Sequence, residues 1–151
     1  MASLDEVFMR QCLELGRAAA GEGEVPVGAI VLLNGRILGR GREASRSSLD
    51  VTAHAEVNAI RDAARAKGTI DLHGSTLYTN VEPCVLCSYA IRRSSIDRVV
   101  IGAPTAALGG VTSRYPILVD PQLQGFGSPP TILRGVLLDE CISLMDDHTT
   151  G

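Results

Sequence analysis

Two short segments, far apart in the sequence, constrain the fold more than any other feature. Residues 54–56 read HAE, an imidazole two residues before a carboxylate, and residues 83–87 read PCVLC, two thiols three residues apart. Residues three apart on a helix share one face, so both sulfurs can contact the same ion. The chain must fold so that these two segments meet.

The residue types in these segments favour a catalytic zinc site. Soft sulfur from Cys84 and Cys87 with an imidazole from His54 suits Zn²⁺. Three protein ligands leave the fourth tetrahedral position open for water, which is typical of catalytic zinc. Glu56 is turned through roughly 200° from His54 on a helix, so it does not ligate the same ion. We therefore predict that Glu56 carries protons beside the zinc ion.

Length and composition favour one globular domain, residues 1–151. Hydrophobic residues make up 45% of the chain, enough for one core, and the net charge is −3. The N-terminus lacks the apolar core of a signal peptide, and no apolar run is long enough to span a membrane. Four cysteines in such a chain indicate a reducing compartment, so we expect a cytoplasmic protein.

Helices and strands are predicted to alternate along the chain. Asn34-Gly35 is a strong hairpin signal, and breakers fill the segment 104–130, a long loop expected to close part of the pocket. This order predicts a sheet covered on both faces and made mixed by the hairpin. The predicted helices are 3–20, 53–67, 83–93 and 137–147, and the predicted strands are 27–33, 36–41, 75–81, 97–103 and 131–136.

The motif pair resembles H-x-E…P-C-x-x-C, the signature of zinc-dependent nucleobase deaminases. The chain is similar to the cytidine-deaminase-like superfamily over residues 25–103. The segments VTAHAE, LYTNVEPCVLC and RVVIGA most resemble the branch of bacterial tRNA adenosine deaminases, guanine deaminases and fungal cytosine deaminases. This resemblance implies a three-layer α/β/α sandwich with a five-stranded mixed sheet, and a homodimer.

The same resemblance implies a hydrolase acting on the C–N bonds of cyclic amidines. Water activated by zinc would attack the ring carbon that bears an exocyclic amine, and ammonia would leave. Glu56 would protonate the ring nitrogen and then the departing amine. The backbone N–H of Ala55 is expected to contact the base. The backbone carbonyl of Glu82 could accept a hydrogen bond from the amine or the water, while its side chain could be structural.

Glu43 departs from the pattern of this branch, which has an asparagine eleven residues before the zinc histidine. An ionised carboxylate only accepts hydrogen bonds, so we expect Glu43 to bind ring N–H or amino donors. The alternative is a shifted loop with Glu43 in solvent. Phe126, in the long loop, could stack on the base or form a core or dimer contact.

These features predict a free nucleobase or related amino-heterocycle as substrate, of guanine, cytosine or aminotriazine type. Nucleic acid is an unlikely partner on this reasoning, because the acidic end of the chain, residues 137–147, would repel phosphates and aromatic residues are scarce. The alternative substrate is a tRNA wobble adenosine. A non-catalytic zinc module needs a fourth protein ligand, and a CxxC redox protein leaves His54 and Glu56 unexplained.

Overall fold

A computed structural model describes residues 2–150, and the side chains of residues 2–148. Four helices and five strands follow one another in the predicted order. Most of their first or last residues differ from the predicted ones by one to three positions. The helices are α1 Leu4–Gly21, α2 Ala55–Lys67, α3 Val85–Arg93 and α4 Leu138–Thr150, and the strands are β1 Gly28–Leu33, β2 Arg36–Arg42, β3 Thr76–Val81, β4 Arg98–Ala103 and β5 Thr131–Arg134.

The five strands form one mixed sheet in the order β2-β1-β3-β4-β5. β1 pairs antiparallel with both β2 and β3, whereas β3, β4 and β5 run parallel. Asn34 and Gly35 both have positive φ, of 51° and 77°, as the predicted hairpin turn requires. The parallel strands therefore end at one edge of the sheet, where the loops that follow them come together.

Each face of the sheet is covered by one pair of helices. Successive residues of one strand enter different cores, because their side chains point to opposite faces of the sheet. The neighbouring pairs are Ala29 and Ile30 on β1, Leu77 and Tyr78 on β3, and Val99 and Val100 on β4. The first core contains α2 and α3 residues, and the second contains α1 and α4 residues. The predicted three-layer α/β/α sandwich with a five-stranded mixed sheet is confirmed.

Two glycines on β2 let α2 approach the sheet through its backbone. A Cβ added at Gly39 would collide with the backbone of Ala59 and Ala63, and one at Gly41 with the backbone of Ala55 and Ala59. Larger residues at these two positions would push the helix away. This close approach fixes the start of α2 beside the end of β2.

A charged contact ties α1 to the sheet. Arg98 donates to both carboxylate oxygens of Asp5, at 3.1 and 2.7 Å, and the Tyr78 hydroxyl donates to the same carboxylate at 2.8 Å. The hydrogen bond from Arg98 is the largest influence and lowers the pKa of Asp5, while burial acts in the opposite direction. The contact therefore stabilises the folded state only while Asp5 is ionised.

We expect Asp5→Asn to destabilise the protein by about 1 kcal/mol at neutral pH, because it removes a partly buried bidentate ion pair. The folded-state pKa lies below the ordinary 3.8. The difference in the free energy of unfolding between Asp5→Asn and wild type should therefore be complete above pH 3.8. It should vanish as the pH falls through the folded-state pKa. Urea unfolding at several pH values measures it. Glu140→Gln, which breaks the more exposed pair with Arg10, should have a smaller effect; a pH-independent loss in Asp5→Asn would contradict the assignment.

No helix within the described part of the chain is long and apolar enough to cross a membrane.

Candidate active site

The two motif segments meet at the edge of the sheet where β3 ends. His54 is the N-cap of α2, Cys84 is the N-cap of α3, and Cys87 lies in the first turn of α3. The His54 Nδ1 atom is 3.5 Å from the Cys84 sulfur and 3.4 Å from the Cys87 sulfur. Nδ1 is therefore the imidazole atom that faces both thiols.

This triangle has the dimensions of a zinc site. Zn–S bonds of about 2.3 Å and a Zn–N bond of about 2.0 Å at tetrahedral angles place sulfur and nitrogen roughly 3.6 Å apart. The observed separations from His54 agree with this value. Among the described residues, His54, Cys84 and Cys87 are the one group of three or more candidate ligands close enough to hold a metal. Zinc is therefore the cofactor, and three protein ligands leave one tetrahedral position to solvent or substrate.

The two thiols of this site shift each other's pKa in opposite directions. A hydrogen bond from Cys87 is the main influence that lowers the pKa of Cys84 to about 5, and the adjacent backbone N–H groups and His54 act in the same direction. The same hydrogen bond and burial raise the pKa of Cys87. Zinc binding would release thiol protons, because thiolates are the ligands.

Glu56 lies in the pocket beside the metal ligands and is 5% exposed. Burial is the largest influence on it and, with the nearby Cys84, raises the pKa of its carboxyl group to about 7. A carboxyl group in such surroundings is suited to taking up and releasing protons near neutral pH. Glu56 is not in the group of candidate ligands, and its role as proton carrier stays a prediction.

A pocket of about 230 Å³ opens over these residues. Glu43 contributes to its wall and is 8% exposed, so the alternative of a shifted, solvated loop is wrong. The Ser45 hydroxyl donates to the Glu43 carboxylate at 2.5 Å and fixes its orientation. The pocket is lined by Val25, Val27, Glu43, His54, Glu56, Val81, Glu82, Cys84 and Thr105.

The Glu82 carboxylate holds the segment that follows β4. It accepts hydrogen bonds from the backbone N–H groups of Thr105, Val111 and Thr112, at 3.1, 2.8 and 2.8 Å, and from the Thr112 hydroxyl at 2.6 Å. Burial acts to raise the pKa of Glu82, but these bonds outweigh it and the pKa is lowered. The side chain is therefore structural, one of the two roles foreseen for this residue. Its backbone carbonyl accepts from the Thr105 hydroxyl at 3.5 Å.

We expect Glu82→Gln to lower stability by about 2 kcal/mol, because an amide cannot replace four bonds to an ionised acceptor and presents its NH₂ group to backbone donors. The displaced pocket wall at Thr105 should also reduce kcat/KM by about tenfold, since small misplacements near a reacting centre are costly. Thermal melting and a deamination assay at equal zinc content measure both effects. Thr112→Val, which removes one of the bonds, is the milder control; wild-type stability in Glu82→Gln would contradict the role.

Phe126 does not belong to the pocket lining, contrary to the stacking role considered for it. Its ring packs edge-to-face against Tyr89, with centroids 5.0 Å apart, and lies 5.9 Å from the Arg92 guanidinium carbon. Arg92 is 1% exposed and donates to the backbone carbonyls of Ile117, Asp120 and Gly127. The packing alternative for Phe126 is therefore the better interpretation, and the loop 104–130 is anchored rather than loose.

Sequence reasoning missed Arg92 and also Glu24. Glu24 is 1% exposed, and its carboxylate accepts from the backbone N–H groups of Arg46 and Ser47, at 3.1 and 2.6 Å. It thereby fixes the loop that follows Glu43. Ala55 is buried as the first residue of α2 and does not contribute to the pocket lining, so its contact with a base stays a prediction.

Comparisons with known proteins agree with this site. Residues 2–103 match the family described as the cytidine and deoxycytidylate deaminase zinc-binding region. The tRNA-specific adenosine deaminase of Streptococcus pyogenes serotype M1 is 36% identical over 95% of this chain and 83% of its own. That of Aquifex aeolicus is 41% identical over 78% of both chains.

Solved structures give the same grouping. A structure of a tRNA:A34 deaminase, from a study of A-to-I editing at the wobble position of transfer RNA, superposes with a TM-score of 0.85 at 35% identity, covering 91% of this chain and 97% of the other. Guanine deaminase from Bacillus subtilis superposes with a TM-score of 0.64 at 35% identity, over 66% of this chain and 64% of the other.

The chain belongs to the cytidine and deoxycytidylate deaminase family of zinc enzymes, and it is a hydrolytic deaminase acting on a C–N bond. The predictions of a free nucleobase substrate and of nucleic acid as an unlikely partner are wrong. Relatives 35–41% identical over most of this chain are named for tRNA. The zinc motif does not encode the substrate, and the acidic helix α4 packs on the other face of the sheet from the zinc site.

Proposed function

We propose that the chain is a single-domain tRNA adenosine deaminase that converts the wobble adenosine of an anticodon to inosine. The observation that carries this proposal is a zinc triangle and a buried carboxylate in one pocket, within a chain that is 41% identical to a tRNA-specific adenosine deaminase. The overall reaction replaces the exocyclic amine at C6 of adenine with oxygen from water, and ammonia leaves.

When bound, zinc supplies Lewis-acid activation of the attacking water molecule. Glu56 accepts one proton from that water on a carboxylate oxygen and passes it to the ring nitrogen beside C6. It then accepts the second proton of the same water and gives it to the departing amine, which leaves as ammonia. Its burial keeps bulk water from competing for this proton. His54, Cys84 and Cys87 would hold the metal, and His54 and Cys84 also line the pocket, so the base is proposed to enter with its amine-bearing edge toward these residues.

Glu43 is proposed to bind the sugar rather than the amine. A carboxylate only accepts hydrogen bonds, and the adenine amine is directed to the zinc site by the reaction. The remaining donors of an adenosine are the ribose hydroxyl groups, of which the 2′-hydroxyl distinguishes RNA from DNA. The hydrogen bond from Ser45 holds the Glu43 carboxylate in one orientation for this contact.

The distribution of charge supports a nucleic-acid substrate although the net charge is −3. The helices α2 and α3 carry five basic and two acidic residues, namely Arg61, Arg65, Lys67, Arg92 and Arg93 against Glu56 and Asp62. The opposite layer, α1 and α4, carries seven acidic and two basic residues, namely Asp5, Glu6, Glu14, Asp139, Glu140, Asp146 and Asp147 against Arg10 and Arg17. The site lies in the basic half, because α2 and α3 bear its metal ligands.

The test is a comparison of substrates with the zinc-loaded chain. An anticodon stem–loop with adenosine at the wobble position is assayed for inosine, beside guanine, cytosine, adenine, their nucleosides and aminotriazines assayed for ammonia. The proposal expects inosine in the stem–loop and kcat/KM for the free compounds at least a hundredfold lower. Efficient release of ammonia from a free base, with no inosine in the RNA, would overturn it.

A further inference from the structure

The side-chain amide of Asn58 joins two peptide groups of the active site. Its nitrogen donates to the backbone carbonyl of Arg42 at 3.0 Å and to that of Ala53 at 3.4 Å. The first carbonyl belongs to the peptide bond that leads into Glu43, and the second to the peptide bond that leads into His54. One side chain therefore links the segment that carries the Glu43 carboxylate to the segment that carries a metal ligand.

A neighbouring arginine fixes which end of the amide faces the two carbonyls. The Arg61 guanidinium donates to the Asn58 side-chain oxygen at 3.2 Å and to the Thr52 hydroxyl at 3.1 Å. A guanidinium has only donors and a backbone carbonyl only accepts, so the amide nitrogen must point to Arg42 and Ala53. The two N–H bonds of the amide are thereby used by the two carbonyls.

Backbone hydrogen bonds hold the rest of the segment around Glu43. The Glu43 N–H donates to the Val27 carbonyl at 3.0 Å, and the Ala44 N–H donates to the Ala53 carbonyl at 3.0 Å. The first bond ties Glu43 to the chain before β1, and the second closes the loop at its base. The bonds from Asn58 instead begin on α2, the helix that presents the metal-binding imidazole and the buried carboxylate of the pocket.

We propose that Asn58 is a positioning residue that holds the Glu43 carboxylate at a fixed distance from the metal site. An adenosine held at its sugar by Glu43 presents C6 to Glu56 only if this distance is correct, and a misplacement of about 1 Å can cost about a hundredfold in rate. The inference rests on the proposed function for the sugar contact, and it adds the residue that makes that contact productive.

Asn58→Ala and Asn58→Asp test the contact in the full-length, zinc-loaded protein. Alanine removes the donor and is well tolerated in a helix, whereas aspartate keeps the size and the acceptor for Arg61 but cannot donate to a carbonyl. Both variants should lower kcat/KM for the anticodon stem–loop by about tenfold at unchanged zinc content. Wild-type kcat/KM in Asn58→Asp would show that the side chain only fills space, and would overturn the inference.

Selectivity for the sugar is the readout that a merely structural role would not move. Stem–loops with adenosine or 2′-deoxyadenosine at the target position are compared. A hydrogen bond to an ionised carboxylate should favour the ribose substrate by roughly tenfold or more in the wild type, and by less than about threefold in both Asn58 variants. Wild type that reacts equally with both sugars would overturn the sugar contact on which the inference rests.

Asp62→Ala is the matched control for a lost contact between α2 and β2. Asp62 lies one turn further along α2, and its carboxylate accepts from the backbone N–H of Arg40 at 3.0 Å, away from the pocket lining. The variant should keep the wild-type selectivity for ribose. If Asp62→Ala loses this selectivity to the same extent as Asn58→Ala, the effect belongs to helix packing and the inference fails.

A double-mutant cycle with Glu43→Gln measures whether Asn58 acts through Glu43. If it does, adding Asn58→Ala to Glu43→Gln should lower kcat/KM by less than about threefold, because the contact to be positioned is already lost. Fully additive losses would overturn the inference and leave the proposed function standing. If wild type forms no inosine in the stem–loop, the proposed function fails, and the same cycle on the free base that is deaminated decides the inference separately.

Discussion

Replacing Glu56 with glutamine is expected to lower kcat by roughly a thousandfold without releasing zinc. General acid–base groups typically contribute a factor of about 10² to 10⁴, and Glu56 is proposed to serve both the attack of water and the departure of ammonia. Glutamine keeps the size of the side chain but cannot take up a proton. Because Glu56 is not one of the candidate ligands His54, Cys84 and Cys87, the variant should bind zinc as the wild type does.

The measurement is single-turnover inosine formation in the stem–loop, with zinc counted in the same preparations. Asp62→Asn is the matched control, since it also neutralises a carboxylate of α2, but one that is exposed and accepts from the backbone N–H of Arg40. It should keep wild-type activity. Glu56→Gln with full zinc and more than about a tenth of wild-type kcat would contradict the assigned proton carrier.

The second large effect is expected for Cys87→Ser, which should remove zinc and reduce activity to background. A serine hydroxyl is a poor ligand for zinc, and the Cys87 sulfur is fully buried, so no water-exposed group can substitute. Metal binding also contributes to folding free energy, so the variant should melt several degrees below the zinc-loaded wild type. A chelator should bring the wild type to the same lower melting temperature.

Zinc content by elemental analysis and thermal melting, with and without added zinc, measure this effect. Cys141→Ser is the control for losing a buried thiol, because Cys141 is also fully buried but lies on α4 in the other core. It should keep zinc at the wild-type level. A Cys87→Ser protein that holds one zinc per chain would show that another group completes the site.

The chemistry of the site could be predicted from the sequence because it is local. Ligand type and spacing within HAE and PCVLC limit the metal, and the helix starts that present His54 and Cys84 follow from simple helix signals. The hairpin turn at Asn34 and the alternation of strands with helices could also be predicted, because each depends on residues that are neighbours in sequence.

The groups that shape the pocket could not be predicted in this way. Glu24 and Arg92 each fix a loop through backbone atoms of that loop, up to 35 residues away. Backbone partners leave no trace in residue identity, so nothing in the sequence distinguishes these charged side chains from solvated ones. Arg92 is a particular case, because its hydrogen bonds among the described residues go to backbone carbonyl groups. No acidic side chain pairs with it in the sequence pattern.

The sequence predicts a free base rather than tRNA because composition gives the amount of charge in the chain and not its position on the surface. The acidic residues of α4 were expected to repel phosphates, yet α4 packs on the face of the sheet opposite to the metal-bearing helices. The exposed basic residues of α2 and α3, namely Arg61, Arg65, Lys67 and Arg93, are on the other side. Only the layer assignment, which requires the fold, separates these two surfaces.

The most direct test of the account is X-ray absorption at the zinc edge on the purified protein, combined with elemental analysis. The account predicts one zinc ion per chain with two sulfur ligands at about 2.3 Å and one imidazole nitrogen at about 2.0 Å. A third sulfur, a second imidazole or a protein that binds no added zinc would contradict the open three-ligand site from which the deaminase mechanism is derived.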